Sequence, residues 1–313
     1  MSTFQSEAEN SNETLVVEQE QQLQSSSKPR TRFINGLVKQ LGSRQDFVSF
    51  GTEEELGFDW GVVLDGHGRS EYINYIRLQN WRAIMISENP WKTLLTYLIK
   101  VPEWIDCCGG STLVMMKAFE NRIETTSVGD SGIVIYKNGH LAYRSKEHNS
   151  KNEAEVERLL PMGAKYEKMD RPVSYPVTGQ NMKMTYKEYV IFRNGTKIAP
   201  TQSLGHRGST GFMPEFHTEY YESSDQMRCV LFTDGFSDMH LFESESEEDR
   251  VRDEQDILTM SATELIDKTE ARWKQNWKIY YDPANPEVYI EDKYPEKGCD
   301  DIGIVVWDNT KEV

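Results

Sequence analysis

Three aspartate-bearing strings, each at one end of an apolar run, are the residues of this chain best suited to chemistry. They are Val62-Val63-Leu64-Asp65-Gly66-His67-Gly68, Val230-Leu231-Phe232-Thr233-Asp234-Gly235 and Asp300-Asp301-Ile302-Gly303-Ile304-Val305-Val306. A strand end holds carboxylate oxygens on rigid backbone, and converging carboxylates suit hard divalent cations such as Mg²⁺ and Mn²⁺, which take oxygen donors and keep several waters. Glycine after Asp65 and Asp234 lets the backbone turn tightly and lets a carbonyl or a substrate come close. His67 stands beside such a site as a natural proton carrier. One Asp-Gly alone is more often a turn signal. Three aspartate ends on Val/Leu/Phe-rich runs, one carrying a histidine, point to a metal site.

One chemistry that such a site can support is hydrolysis of a phosphate ester. Two divalent ions about 3.5–4 Å apart share and acidify a water that attacks a phosphate monoester in line. Position and charge neutralisation dominate that reaction, so no nucleophilic Ser or Cys is required.

The strings belong to a larger set. Asp65-Gly66-His67-Gly68, Gly110-Ser111-Thr112, Ser127-Val128-Gly129-Asp130-Ser131, Ser203-Leu204-Gly205, Phe232-Thr233-Asp234-Gly235-Phe236-Ser237-Asp238 and Asp300-Asp301 follow one another from about Gly42 to Trp307. In order and rough spacing this resembles the metal-dependent PPM, or type 2C, protein phosphatases. The resemblance implies that Asp65 bridges two Mg²⁺ or Mn²⁺ ions, that the Gly66 carbonyl adds a ligand to one, and that Asp234 with Asp300 holds the other. It implies His67 as general acid, with Asp46, Asp238 and Asp301 behind the ligands or on metal-bound water. Asp130 reads as a turn residue leading into the strand at Ile133.

The chain also departs from the family. Gly42-Ser43-Arg44-Gln45-Asp46 resembles the opening motif, but Gln45 is neutral where many members carry Glu, and Leu41 stands where a phosphate-gripping arginine is expected. Lys39 and Arg44 on either side are the phosphate-binding candidates, Arg44 bidentately and Lys39 as a point charge. His206 follows Ser203-Leu204-Gly205 where the family has Asp, which exchanges a hard oxygen donor for an imidazole. Residues 151–200 leave room for a flap beside the site.

The elements that must position these residues follow from patterning. Residues 1–32 are rich in Ser, Gln, Glu and Asn and read as a disordered tail, so the phosphatase-like domain is assigned to 33–313. Phe58–Leu64 reads as a buried strand, Ser70–Trp81 as a helix, and Thr112–Phe119 with Ile123–Val128 as paired strands. Asn138-Gly139 and Asn194-Gly195 mark hairpins. Glu153–Leu160 and Ala262 to about Trp277 read as helices, with Trp273 and Trp277 assigned to packing. Glu243–Arg250 reads as a solvated acidic loop and Tyr280–Lys297 as a long excursion. Hairpin-linked strands with segregated helices indicate an α+β sandwich. The resemblance makes it two packed antiparallel sheets flanked by helices.

Composition narrows the partners. The formal charge is −16, from 35 basic and 51 acidic residues, which disfavours nucleic acid and anionic membrane surfaces. Cys107, Cys108, Cys229 and Cys299 lack zinc-site spacing and are expected reduced. No apolar run has the length of a membrane span, and the first residues lack the features of a secretion signal. The expectation is a monomeric protein of the cytoplasm, the nucleus being compatible as well, acting on phosphoproteins. Hydrolysis of phosphoserine and phosphothreonine competes with a second reading, a catalytically silent relative that binds partners through the same sandwich.

Overall fold

A computed structural model describes residues 32–168, 173–177, 188–211, 213–240, 246–280 and 287–309. Except for Arg32, the tail assigned to 1–32 lies outside the described residues. Strands β1 (Phe33–Lys39), β2 (Asp46–Glu53) and β3 (Phe58–Gly68) open the domain, followed by helices α1 (Ser70–Ile76), α2 (Trp81–Ile86), α3 (Pro90–Leu98) and α4 (Glu103–Asp106). The middle contains β4 (Gly109–Ser111), β5 (Leu113–Ala118), β6 (Arg122–Val128), β7 (Gly132–Lys137) and β8 (His140–Arg144), then α5 (Glu153–Leu159). Short strands β9 (Lys165–Lys168), β10 (Val173–Pro176), β11 (Glu188–Ile191), β12 (Lys197–Ile198) and β13 (Leu204–Gly205) precede β14 (Glu215–Tyr220) and β15 (Met227–Phe232). The last third holds α6 (Asp234–Ser237), α7 (Glu247–Thr259), α8 (Ala262–Trp273), β16 (Asn276–Tyr280), β17 (Ile290–Lys293) and β18 (Ile302–Asp308).

Two antiparallel sheets form the centre, one in the order β1-β18-β15-β7-β8 and the other β13-β4-β3-β5-β6-β14, with β2 also paired to β3. Side-chain alternation divides each strand between two layers. Val63, Val114, Met116, Ile133, Ile135, Leu231, Val305 and Trp307 fill the space between the sheets. Val62 and Leu64 turn to the other face and pack with Tyr72, Ile73, Ile76 and Trp81 of α1 and α2. Val134, Val230 and Ile304 pack against Ile257, Leu265, Ile266 and Trp273 of α7 and α8. The result is the helix-flanked α+β sandwich expected from the sequence. Asn138 (φ 54°) and Gly139 (φ 76°) both take the left-handed conformation that the β7–β8 turn requires.

Four local expectations need correction. The helix expected over Ser70–Trp81 is two helices, because Asn80 Oδ1 accepts the Ala83 N–H (2.9 Å) and starts α2. The helix expected to run to Trp277 ends at Trp273. Trp277 and Ile279 are buried at alternate positions of β16, and both tryptophans still reach the same core layer. Within the acidic run, residues 247–250 form the first turn of α7, where acids complement the helix dipole and Ser246 Oγ accepts the Asp249 N–H, while 241–245 lie outside the described residues. In the excursion, Ile290–Lys293 pairs with β16 in the small sheet β10-β16-β17.

Candidate metal centre

The end of β3 carries Asp65, Gly66 and His67, with Asp46 of β2 directly across the ladder from Asp65. Asp65 is fixed through its backbone: its N–H donates to Thr112 Oγ1 (3.1 Å), and the Thr112 N–H donates to its carbonyl (2.9 Å). Thr112 is in turn held to Ser131 at 2.6 Å, next to Asp130. Asp234 opens α6 just past β15. Gly235 is pressed so close to β18 that an added Cβ would sit 1.9 Å from the Asp301 carbonyl oxygen, so only glycine lets these two segments meet.

The carboxylates of Asp65, Asp130 and Asp234 converge, with ligand oxygens all within 4.8 Å of one another. Asp238 and Asp300 line the same cavity of about 530 Å³, together with Gly66 and His67. Burial pushes the Asp65 carboxyl well above the usual carboxylate range, and the charges of Asp234, Asp46 and Asp300 push it further. Asp46 is raised too, by burial and then by Asp301 and Asp300. Among the described residues its Oδ2 is buried without a hydrogen-bond partner. An all-oxygen donor set whose members repel one another when ionised fits a hard divalent cation.

Asp301 does something different. It accepts the N–H groups of Leu41 (2.7 Å), Gly42 (2.9 Å) and Gln45 (2.8 Å) and the Ser43 hydroxyl (2.8 Å), so it ties the β1–β2 loop to β18 and sets Asp46 in place.

His67 is engaged at both nitrogens. Nε2 lies 2.7 Å from Ser203 Oγ, and Nδ1 lies 3.2 Å from Nε2 of His206, whose ring stacks on it at 5.0 Å between centroids. Burial, aided by His206 and opposed by Asp234, lowers the His67 pKa to about 3. His206, where the sequence resemblance leads one to expect Asp, is thus the second half of a histidine pair.

The structure brings Asp65, Gly66, His67, Asp234, Asp238 and Asp300 to one cavity and sets Asp46 and Asp301 against it. It leaves the two candidate phosphate-binding residues off the cavity wall: Lys39 pairs with Glu270 (3.1 Å), and Arg44 is an exposed loop residue with φ 60°. Asp130, read as a turn residue, lies inside the carboxylate group instead. Its signal was present, since Asp130 stands just ahead of the apolar run Ile133-Val134-Ile135-Tyr136, as Asp300 and Asp301 stand ahead of Ile302 and Ile304-Val305-Val306.

Lys197 was missed. It lines the cavity from the small sheet β9-β11-β12, pairs with Glu167 (2.6 Å) and lies over the Tyr189 ring at 4.7 Å. This sheet, with its own core of Leu159, Val190, Phe192 and Ile198, occupies the flap region that the sequence left room for.

The family model for protein phosphatase 2C matches residues 103–173. A solved C. elegans sex determining protein has a TM-score of 0.55 at 17% identity, over 92% of this chain and 66% of its own, so this chain spans just under two thirds of that protein. The serine-threonine phosphatase 2C from Toxoplasma gondii gives 0.53 at 14% identity, over 90% of this chain and 96% of its own. The S. agalactiae serine/threonine phosphatase gives 0.50 at 16%, over 90% and 100%. At these identities the likeness is one of fold. No curated protein matches the chain. The matched segment is similar to protein phosphatase 2C, and the chain shares the helix-flanked sandwich fold of solved serine/threonine phosphatases of that type.

Proposed function

We propose that this chain is a metal-dependent phosphatase acting on phosphoserine and phosphothreonine in proteins, and that 33–313 is its catalytic domain. The observation that carries the reading is the convergence of Asp65, Asp130 and Asp234 within 4.8 Å at one end of the sandwich. Asp65, the Gly66 carbonyl, Asp234 and Asp300 would hold two Mg²⁺ or Mn²⁺ ions, with Asp130 added to the set by its proximity. Bound there, such ions supply neutralising charge for the phosphoryl group and acidify water.

The chain's own residues divide the remaining work. Asp238 and Asp46 orient water around the ligands. Lys197 meets the phosphate, because it reaches the cavity wall and its exposed pairing with Glu167 costs little to break. His67 protonates the leaving oxygen. Its ring is held neutral by burial, so it gives its one N–H proton once the contact to Ser203 or His206 yields to the substrate, and regains a proton through the contact that stays. The phosphoserine and phosphothreonine class is carried over from the serine/threonine phosphatases of like fold, and an intracellular monomer remains part of the proposal.

The test is hydrolysis of an aryl phosphate by the purified protein with Mn²⁺, its loss with EDTA, and its abolition by Asp65→Ala and by Asp234→Asn. A scaffold is the second reading, supported by Leu41 and by the absence of Lys39 and Arg44 from the cavity wall. Metal binding without turnover of aryl phosphate or phosphopeptide would select it.

A further inference from the structure

Cys107 and Cys108 are adjacent in sequence, where side chains of an extended segment would point apart. Here Cys107 caps α4 in a helical conformation (φ −73°, ψ −26°), its N–H donating to the Glu103 carbonyl at 3.0 Å, and this turn swings both thiols to one side. The two Sγ atoms are 2.8 Å apart. Both residues are half-buried, both are free thiols, and both line the cavity that contains Asp65 and His67. The hydrogen bond to Cys108, then burial, raise the Cys107 thiol above its usual range against the pull of Arg207 and Arg69, so the closeness of the two half-buried sulfurs is what favours a bridge.

We propose that Cys107 and Cys108 form an oxidation site that closes to a disulfide between neighbours and reports oxidants to the acid cluster. With hydrogen peroxide, one thiol sulfur attacks the peroxide oxygen, the O–O bond breaks, and a sulfenic acid and water form. The second thiol then displaces a second water as the S–S bond forms. Two thiol protons and two electrons have gone to reduce one peroxide to two waters, and a thiol reductant reverses the change.

The coupling follows from what Cys108 holds. Its carbonyl accepts the Arg69 N–H at 3.0 Å, directly after β3, and an added Cβ at Gly68 would meet that oxygen at 2.7 Å. β4 then pairs Gly109 with Gly68 and Gly110 with His67. A ring closed across adjacent cysteines contains their shared peptide, and closing it to disulfide geometry twists that normally planar unit and turns the Cys108 carbonyl. The end of β3 loses its anchor, and the ligands Asp65 and Gly66 lose definition. This second half rests on the metal reading; the oxidation itself does not.

The experiment uses the full chain, reduced and freed of metal, then treated with stoichiometric hydrogen peroxide. Cleavage after Lys100 and Lys117 gives a peptide of residues 101–117 that contains both thiols and neither of the other cysteines. We expect that peptide to lose two hydrogens in mass and to regain them on reduction. Mn²⁺ affinity measured by calorimetry should fall about tenfold on oxidation and recover, as for loss of a group that supports a ligand. Cys107→Ser and Cys108→Ser should bind Mn²⁺ as the reduced protein does, with or without peroxide. Recovery of both thiols free, or carrying only sulfenic or sulfinic groups, overturns the site. A bridge that leaves Mn²⁺ affinity unchanged overturns the coupling. Reduced protein that binds no Mn²⁺ sinks the metal reading and the coupling with it, while the mass of the 101–117 peptide still decides the bridge.

Discussion

Replacing Asp65 by Asn should make the metal-free protein more stable while removing its response to metal. With ligand oxygens of Asp65, Asp130 and Asp234 within 4.8 Å, a pair of full charges at that separation repels by about 3.5 kcal/mol at an effective dielectric of about 20. Asp65 is partly solvent-accessible, so screening reduces the relief to about 1–3 kcal/mol, or roughly 2–6 °C in Tm for a chain of this size. The sign with pH follows from the direction of the shift. The folded pKa of Asp65 is raised, so its protonation favours the folded state below the unfolded value, and that contribution is lost as pH rises through the folded pKa. Melting curves of the wild type and Asp65→Asn in EDTA, taken from acid to neutral pH, should therefore diverge upward in pH, with the variant the more stable at neutrality. Saturating Mn²⁺ should reverse the order, since a ligand at about 100 times its Kd adds about 2.7 kcal/mol to the wild type alone. The reasoning fails if the metal-free variant melts below the wild type at neutral pH, or if the difference between them does not change with pH.

Asp301→Ala should cost about 3–5 kcal/mol, because three backbone amides and a hydroxyl lose their charged acceptor; denaturant melts would measure it, with Mn²⁺ affinity falling in parallel as Asp46 is released. Lys197→Ala should raise KM for a phosphopeptide about tenfold with a smaller effect on kcat, and Lys197→Arg should restore most of it; unchanged KM would remove Lys197 from substrate binding. Arg272 donates to Asp253 at 2.7 and 2.6 Å inside the helical layer, so Arg272→Leu should destabilise by about 3–5 kcal/mol and Asp253→Leu in the same chain should recover much of that loss.

How far the molecule could be read from its residues depended on whether the deciding forces were local. The β7–β8 turn was legible because Asn138-Gly139 is a local conformational demand. Strands β3, β15 and β18 were legible because apolar runs ending in aspartate leave few alternatives. The end of α8 was not, since Trp277 satisfies helical spacing and strand alternation equally, and pairing with β10 and β17 decides between them. Glu247–Arg250 looked like loop because net acidity masks a helix start whose Ser246 cap and dipole welcome that charge. In the site, Asp65, Asp234 and Asp300 were found because each stands beside an apolar strand. Asp130 carried the same mark but was assigned to its turn. The position of Lys197 on the cavity wall depends on how the β9-β11-β12 sheet lies against the sandwich, which no spacing in the chain encodes.

The pairing of β1 with β18 has a consequence for biosynthesis. Leu41 and Asp301, which share one of the hydrogen bonds that set the acid cluster, are 260 residues apart. β18 also lies between β1 and β15, so both neighbours must wait for it. Until residue 301 has been made, the amides of Leu41, Gly42 and Gln45 lack the acceptor that fixes the loop ahead of Asp46. The acid cluster is therefore framed only after β18 has slotted between β1 and β15, a long-range step that local folding cannot anticipate.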